Sequence, residues 1–298
     1  MVFRPGDYDP QQRLTAAARP SAALWRLGVG VVVMSATYLA LLWLAAAALI
    51  TLTGDAGRVF VQAMAEGATP MGLTALLFSF LLLTGGLAVA LRLLHRRGLA
   101  GLIGPLGQSV TDFRRVALAL TLLALVFMAL TLLSPDVGQQ MTLFQQLPWW
   151  PLGLLGLLVQ TGSEELVFRG YLQSQLAARI RSPLIWIGLP SILFGLTHYN
   201  PDTYGPNAWA VVAWATVFGA LAGDLTARTG SLGAAMGLHF ATNFSAIFLV
   251  GISGSLDGLA LYNVVVDLKD PALTGPLLSV DLLTLVVAWL LARVMLRR

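Results

Sequence analysis

Glu164 and Glu165 stand side by side in a run of apolar residues, with Arg169 four positions after the second. His198 closes a later run, and His239 with Asn243 lies inside another. Carboxylates can take a proton from water, and the two imidazole-bearing stretches can line a common cavity with them. At about 100° per helical residue, Glu165 and Arg169 share a face and can pair, while Glu164 points in another direction. One carboxylate can then stay ionised against the guanidinium and leave its neighbour free. A carboxyl group in a poorly solvated pocket holds its proton to a higher pH than one in water, which suits a base working near neutrality. Glu164 is the candidate base. A charge near the centre of a membrane helix costs about 2.5–3.5 kcal/mol, so the two carboxylates oppose insertion by about 5–7 kcal/mol unless other groups compensate.

His198 ends the stretch Phe194-Gly-Leu-Thr-His198, and the spacing of His239 and Asn243 puts imidazole and amide one above the other on a helix face. At 1.5 Å per residue, Glu164, His198 and His239 lie roughly 21, 22 and 14 Å from the cytoplasmic ends of their helices, which places all three near mid-membrane. The same three side chains also amount to the N/O ligand set of a catalytic zinc site. A proton or ion relay in a transporter, or a noncatalytic membrane partner, could use such a cluster too. Asp224 and Arg228, four apart, read as a structural ion pair, and His95 beside Arg96 and Arg97 as a solvated interfacial residue. Gly251-Ile-Ser253-Gly254 has the form of an intramembrane serine protease motif, but no histidine follows it. With no cysteine in the chain, thiolate nucleophiles and disulfides are excluded.

The elements that position these groups follow from composition. With 57% hydrophobic and 11% charged residues among 298, the chain has too little polar surface for a soluble globule, and an integral membrane protein is expected. Apolar runs at Leu27–Leu52, Met71–Leu94 and Val116–Leu133 are each long enough to span about 30 Å of hydrocarbon. The second half reads as further spans at Trp149–Ala178, Leu184–His198, Ala208–Ala227, Leu232–Ile252 and Leu277–Leu296. The expectation is an all-α, polytopic helix bundle of about eight transmembrane helices, one membrane domain over 1–298. Residues 1–26 would be a polar cytoplasmic tail, and 149–252 the catalytic helices. The stretch Gly98–Asp112 reads as a surface helix or a re-entrant loop.

Basic residues orient this bundle. Leaving out Arg169, 15 fall on one side, from Arg4 in the tail to Arg298 at the end, and only Arg58 and Lys269 on the other. Both termini are therefore expected in the cytoplasm. The basic residues are scattered rather than gathered in a stripe, so no nucleic-acid partner is expected.

Three signatures in series, Glu-Glu-x-x-x-Arg at 164–169, Phe-x-x-x-His at 194–198 and His-x-x-x-Asn at 239–243, resemble the CAAX protease and bacteriocin-processing (CPBP, Abi) family of intramembrane glutamic endopeptidases. The run Arg228-Thr-Gly-Ser-Leu232 is similar to that family as well, so the resemblance covers about 160–245. It implies that Glu164 activates water, that His198 orients it, that Glu165 and Arg169 support the site, and that His239 and Asn243 stabilise the oxyanion. It further implies a membrane-associated peptide or protein substrate, no cofactor, and a place in the bacterial plasma membrane. It leaves the oligomeric state open.

Overall fold

Prolines and capping residues open the long helices. In the computed structural model, which describes residues 6–297, α1 (Leu24–Thr53) and α2 (Asp55–Glu66) are followed by Thr69. The Thr69 hydroxyl accepts a hydrogen bond from the Gly72 N–H, and Pro70 takes the first position of α3 (Pro70–Ala90), where a missing N–H costs nothing. A π turn, Leu91–His95, prolongs α3. Then come α4 (Leu106–Thr131) and α5 (Trp150–Glu165), the latter running on through a π segment, Leu166–Gln173, and Ser174–Arg179. Next are α6 (Pro183–Leu196), α7 (Ala208–Thr229), and α8 (Gly233–Phe244) with a π turn Ser245–Leu249. Asp270 caps α9 (Pro271–Leu296) by accepting from the Ala272 N–H at 2.9 Å.

A helix thus lies at every expected span. Five of the helices among the described residues, α1, α3 with its π turn, α4, α7 with the short stretch before it, and α9, are long and apolar enough to cross a membrane, while α6 and α8 are shorter and apolar. Arg4 and Arg298, used in the charge argument, lie outside the described residues.

Several boundaries differ from expectation. The third span starts at Leu106, because the Gly98–Asp112 stretch is a single 3-10 turn (Leu99–Leu102) followed directly by the start of α4. The seventh span stops at Leu249. Its expected continuation is β2 (Val250–Ile252), which pairs in parallel with β3 (Tyr262–Val264), itself antiparallel to β1 (Val137–Gln139). β-branched residues at 250, 252 and 264 favour the pleated conformation there. The fold is helical, with this small sheet added to the expected all-α bundle. Gln146 closes the end of α8 by donating from Nε2 to the carbonyls of Phe248 (2.7 Å) and Leu259 (2.6 Å), and its Oε1 accepts from Trp150 Nε1 at 2.9 Å.

Asp7, Tyr8, Gln11 and Ser21 bond to the helices that follow them. Tyr8 donates to Asp224 at 2.7 Å, and Arg228 pairs with Asp224 at 2.9 Å and with Asp7 at 3.2 Å. Trp289 Nε1 donates to Asp224 at 3.0 Å, and Gln173 donates to Gln11 at 3.2 Å. Burial and the Asp224 bond hold the Tyr8 phenol above the usual tyrosine range. Asp224 is therefore structural, as its spacing from Arg228 indicates. His95 is not a solvated residue: Ser21 of the docked segment covers it, and it bonds to Ser21 Oγ (2.9 Å), Tyr171 Oη (2.9 Å) and Gln175 Nε2 (3.0 Å).

Small residues bring α8 against α4. A Cβ on Gly233 would lie 1.9 Å from the Ser109 carbonyl oxygen, and one on Gly237 would lie 2.9 Å from that of Phe113. Gly233→Ala must push the two backbones apart. The expected cost is about 1–3 kcal/mol, read as a lowered unfolding midpoint in detergent; an unchanged midpoint would show that the contact is looser than described.

Candidate active site

The site is built where α5 meets α8. Glu165 ends the α-helical part of α5, and the π segment that follows carries Arg169; such widened turns are frequent at functional sites. Arg169 Nη1 donates to Glu165 Oε1 at 2.8 Å, and Nη2 donates to the Gly219 carbonyl of α7 at 3.2 Å. The guanidinium lies 4.8 Å from the Phe194 ring centroid and 5.9 Å from those of Phe168 and Phe218, so aromatic faces surround the charge that the carboxylate balances.

His239 comes from α8 and stands between the two glutamates. Its Nδ1 lies 2.8 Å from Glu165 Oε1, and its Nε2 lies 3.4 Å from Glu164 Oε2. A carboxylate oxygen already held by a guanidinium only accepts, so Nδ1 is the donor. Glu165 is fully buried, whereas the Glu164 side chain keeps 14% exposure. One carboxylate is locked and the other keeps some exposure beside His239. The second oxygen of Glu165, Oε2, is enclosed and has no hydrogen-bond partner among the described residues.

Asn243, one turn beyond His239, donates from Nδ2 to Gln160 Oε1 at 3.0 Å. Contacts of 243 with 160 and of 239 with 164 and 165 make α5 and α8 antiparallel here. His198 is set apart from this group. Its Nδ1 lies 2.9 Å from the Phe194 carbonyl, to which it must donate, leaving Nε2 as the acceptor. The Phe194 ring is what it shares with the cluster, with centroids 4.7 Å from His198 and 5.9 Å from His239. The structure therefore brings Glu164, Glu165, Arg169 and His239 into direct contact, seats Asn243 one turn away, and places His198 across an aromatic ring.

Among the described residues, no three His, Asp or Glu side chains gather as a metal-ligand set. The Glu164, His198 and His239 trio is not gathered as such a set, because the Phe194 ring lies between His198 and His239. Ser253 follows β2, with its N–H on the Val264 carbonyl, as part of the sheet rather than of the site. Gln160 is the site residue that the sequence reading passed over. Its position one turn before Glu164, in an otherwise apolar stretch, was the available signal.

Comparison with known proteins meets this geometry over the same stretch. Residues 145–245 match the family model described as type II CAAX prenyl endopeptidase Rce1-like. The matched segment holds all seven residues of the three signatures. The chain is also 26% identical over 179 residues to the uncharacterized protein YyaK of Bacillus subtilis (strain 168), an alignment that covers 58% of this chain and 59% of YyaK. No solved structure matches the chain.

Within the matched segment, the Glu165–Arg169 pair is open to a direct test. Arg169→Met leaves a buried carboxylate without its guanidinium and is expected to destabilise the protein by about 3–5 kcal/mol. Adding Glu165→Gln removes that charge and should recover most of the loss, measured by equilibrium unfolding in detergent. A double variant less stable than Arg169→Met alone would show that the pair is not what sets the cost.

Proposed function

We propose that this protein is an intramembrane endopeptidase that hydrolyses a peptide bond of a membrane-associated protein or peptide with water activated by Glu164. The observation that carries the reading is the 3.4 Å approach of His239 Nε2 to Glu164 Oε2, behind which Glu165 and Arg169 form a closed pair. The match to an Rce1-like endopeptidase model over the same residues supports it.

In this scheme Glu164 takes a proton from a water whose oxygen attacks the scissile carbonyl. His198, with Nδ1 committed to Phe194, offers Nε2 to accept the water's other hydrogen after a small movement toward Glu164. The carbonyl oxygen becomes anionic and is met by Asn243 and by His239, whose Nε2 must hold a proton in order to donate there. The C–N bond breaks as Glu164 returns its proton to the leaving amine. Glu165 and Arg169 do not touch the substrate; they hold His239 in place. No metal or other cofactor takes part. The chain sits in the bacterial plasma membrane with eight crossings and both termini in the cytoplasm, in line with the distribution of its arginines.

Glu164→Gln should reduce cleavage of a membrane-associated peptide by roughly 10²–10⁴-fold while the unfolding midpoint stays in place. Unchanged proteolysis would remove Glu164 as the base. Biological activity that survives in the variant, with no peptide ever cut, would favour a binding role. In wild-type protein stripped of zinc by exhaustive chelation, cleavage should continue; cleavage restored only by added zinc would overturn the metal-free mechanism.

A further inference from the structure

A primary amide has two faces of opposite character, and turning Asn243 by 180° would put its oxygen where its nitrogen now stands. Toward a carbonyl oxygen gaining negative charge, the nitrogen donates and the oxygen repels. Something must therefore fix the amide. Asn243 makes one side-chain hydrogen bond among the described residues, Nδ2 to Gln160 Oε1 at 3.0 Å. Gln160 is itself 7% exposed and sits one helical turn before Glu164. Nδ2 carries two hydrogens, so with one directed at Gln160 the other has a fixed direction and remains free. The acceptor and the base stand on one helix, α5, and the donor on its antiparallel neighbour, α8. The distance between base and oxyanion donor is then set across a single helix pair.

We propose that Gln160 is a positioning residue that orients the Asn243 amide so that its second N–H faces the carbonyl oxygen of the scissile bond. This rests on the proteolytic reading above. Gln160 touches neither water nor substrate; it acts through Asn243.

The test compares Gln160→Met, Asn243→Ala and the double variant, with kcat and KM measured on one membrane-associated peptide and unfolding midpoints recorded for each. Gln160→Met keeps the length and volume but cannot hold the amide. It is expected to lower kcat by roughly 10- to 100-fold, somewhat less than the 10²–10³-fold typical of removing an oxyanion donor outright. KM should stay within about twofold, since the lost interaction belongs to the transition state. In the Asn243→Ala background the same substitution should change kcat no further. Equal losses in both backgrounds would mean a general structural role and overturn the proposal, as would a fully active Gln160→Met enzyme. If Gln160→Met fails to insert, Gln160→Ala enters the same comparison. Full kcat in Asn243→Ala would remove the donor and Gln160 with it, while an inactive Glu164→Gln enzyme in that assay would leave the proteolytic reading in place.

Discussion

One carboxylate oxygen, Oε1 of Glu165, accepts from Arg169 Nη1 and from His239 Nδ1, each at 2.8 Å. Within a fully buried setting this shared oxygen does two things. It neutralises a guanidinium that three phenyl rings shield from solvent, and it clamps an imidazole from another helix with its second nitrogen aimed at Glu164. An isolated carboxylate at such depth would be expelled or protonated; paired and doubly bonded, it becomes a fixed anchor. The more open Glu164 is then free for chemistry because its neighbour bears the structural duty.

The rest of the fold brings α5 and α8 to this contact. Gly233 and Gly237 let α8 approach α4 more closely than any side chain would allow, and the Gly219 carbonyl of α7 takes the second arm of Arg169. At the cytoplasmic ends proposed for these helices, the docked N-terminal residues join the bundle through Tyr8, Asp7 and Gln11. The Gln173 that meets Gln11 lies one turn beyond Arg169 on the same continuous helix. Packing at that end therefore bears on the segment that carries the charge pair.

Much of this was legible from residue types and spacing. The four-residue intervals 165–169 and 239–243 hold in three dimensions because both fall on helices, and the helix positions themselves follow from apolar runs and their Gly and Pro borders. Most of the misreadings depended on a partner distant in the chain. His95 has arginines as sequence neighbours, yet its real neighbours are Ser21, Tyr171 and Gln175. The polar composition of the first residues does not reveal that Asp7 and Tyr8 meet the buried Asp224–Arg228 pair. Val250 and Ile252 looked like the end of an apolar span, but their pairing with Tyr262–Val264 is invisible to local periodicity. Gln160 and Asn243, 83 residues apart in sequence, meet only when two helices do. His198 lies at the right end of α6, yet its imidazole is held by its own helix's carbonyl, a detail that spacing does not reveal.

The clamp on His239 is most directly read by solid-state ¹⁵N spectroscopy of the protein in bilayers. The chain has only three histidines, so substituting His95 and His198 assigns the third. A protonated Nδ1 at His239, whose resonance moves when Glu165 becomes glutamine, is the predicted result. A bare Nδ1 that ignores the Glu165→Gln change would contradict the shared carboxylate, and with it the arrangement of the site.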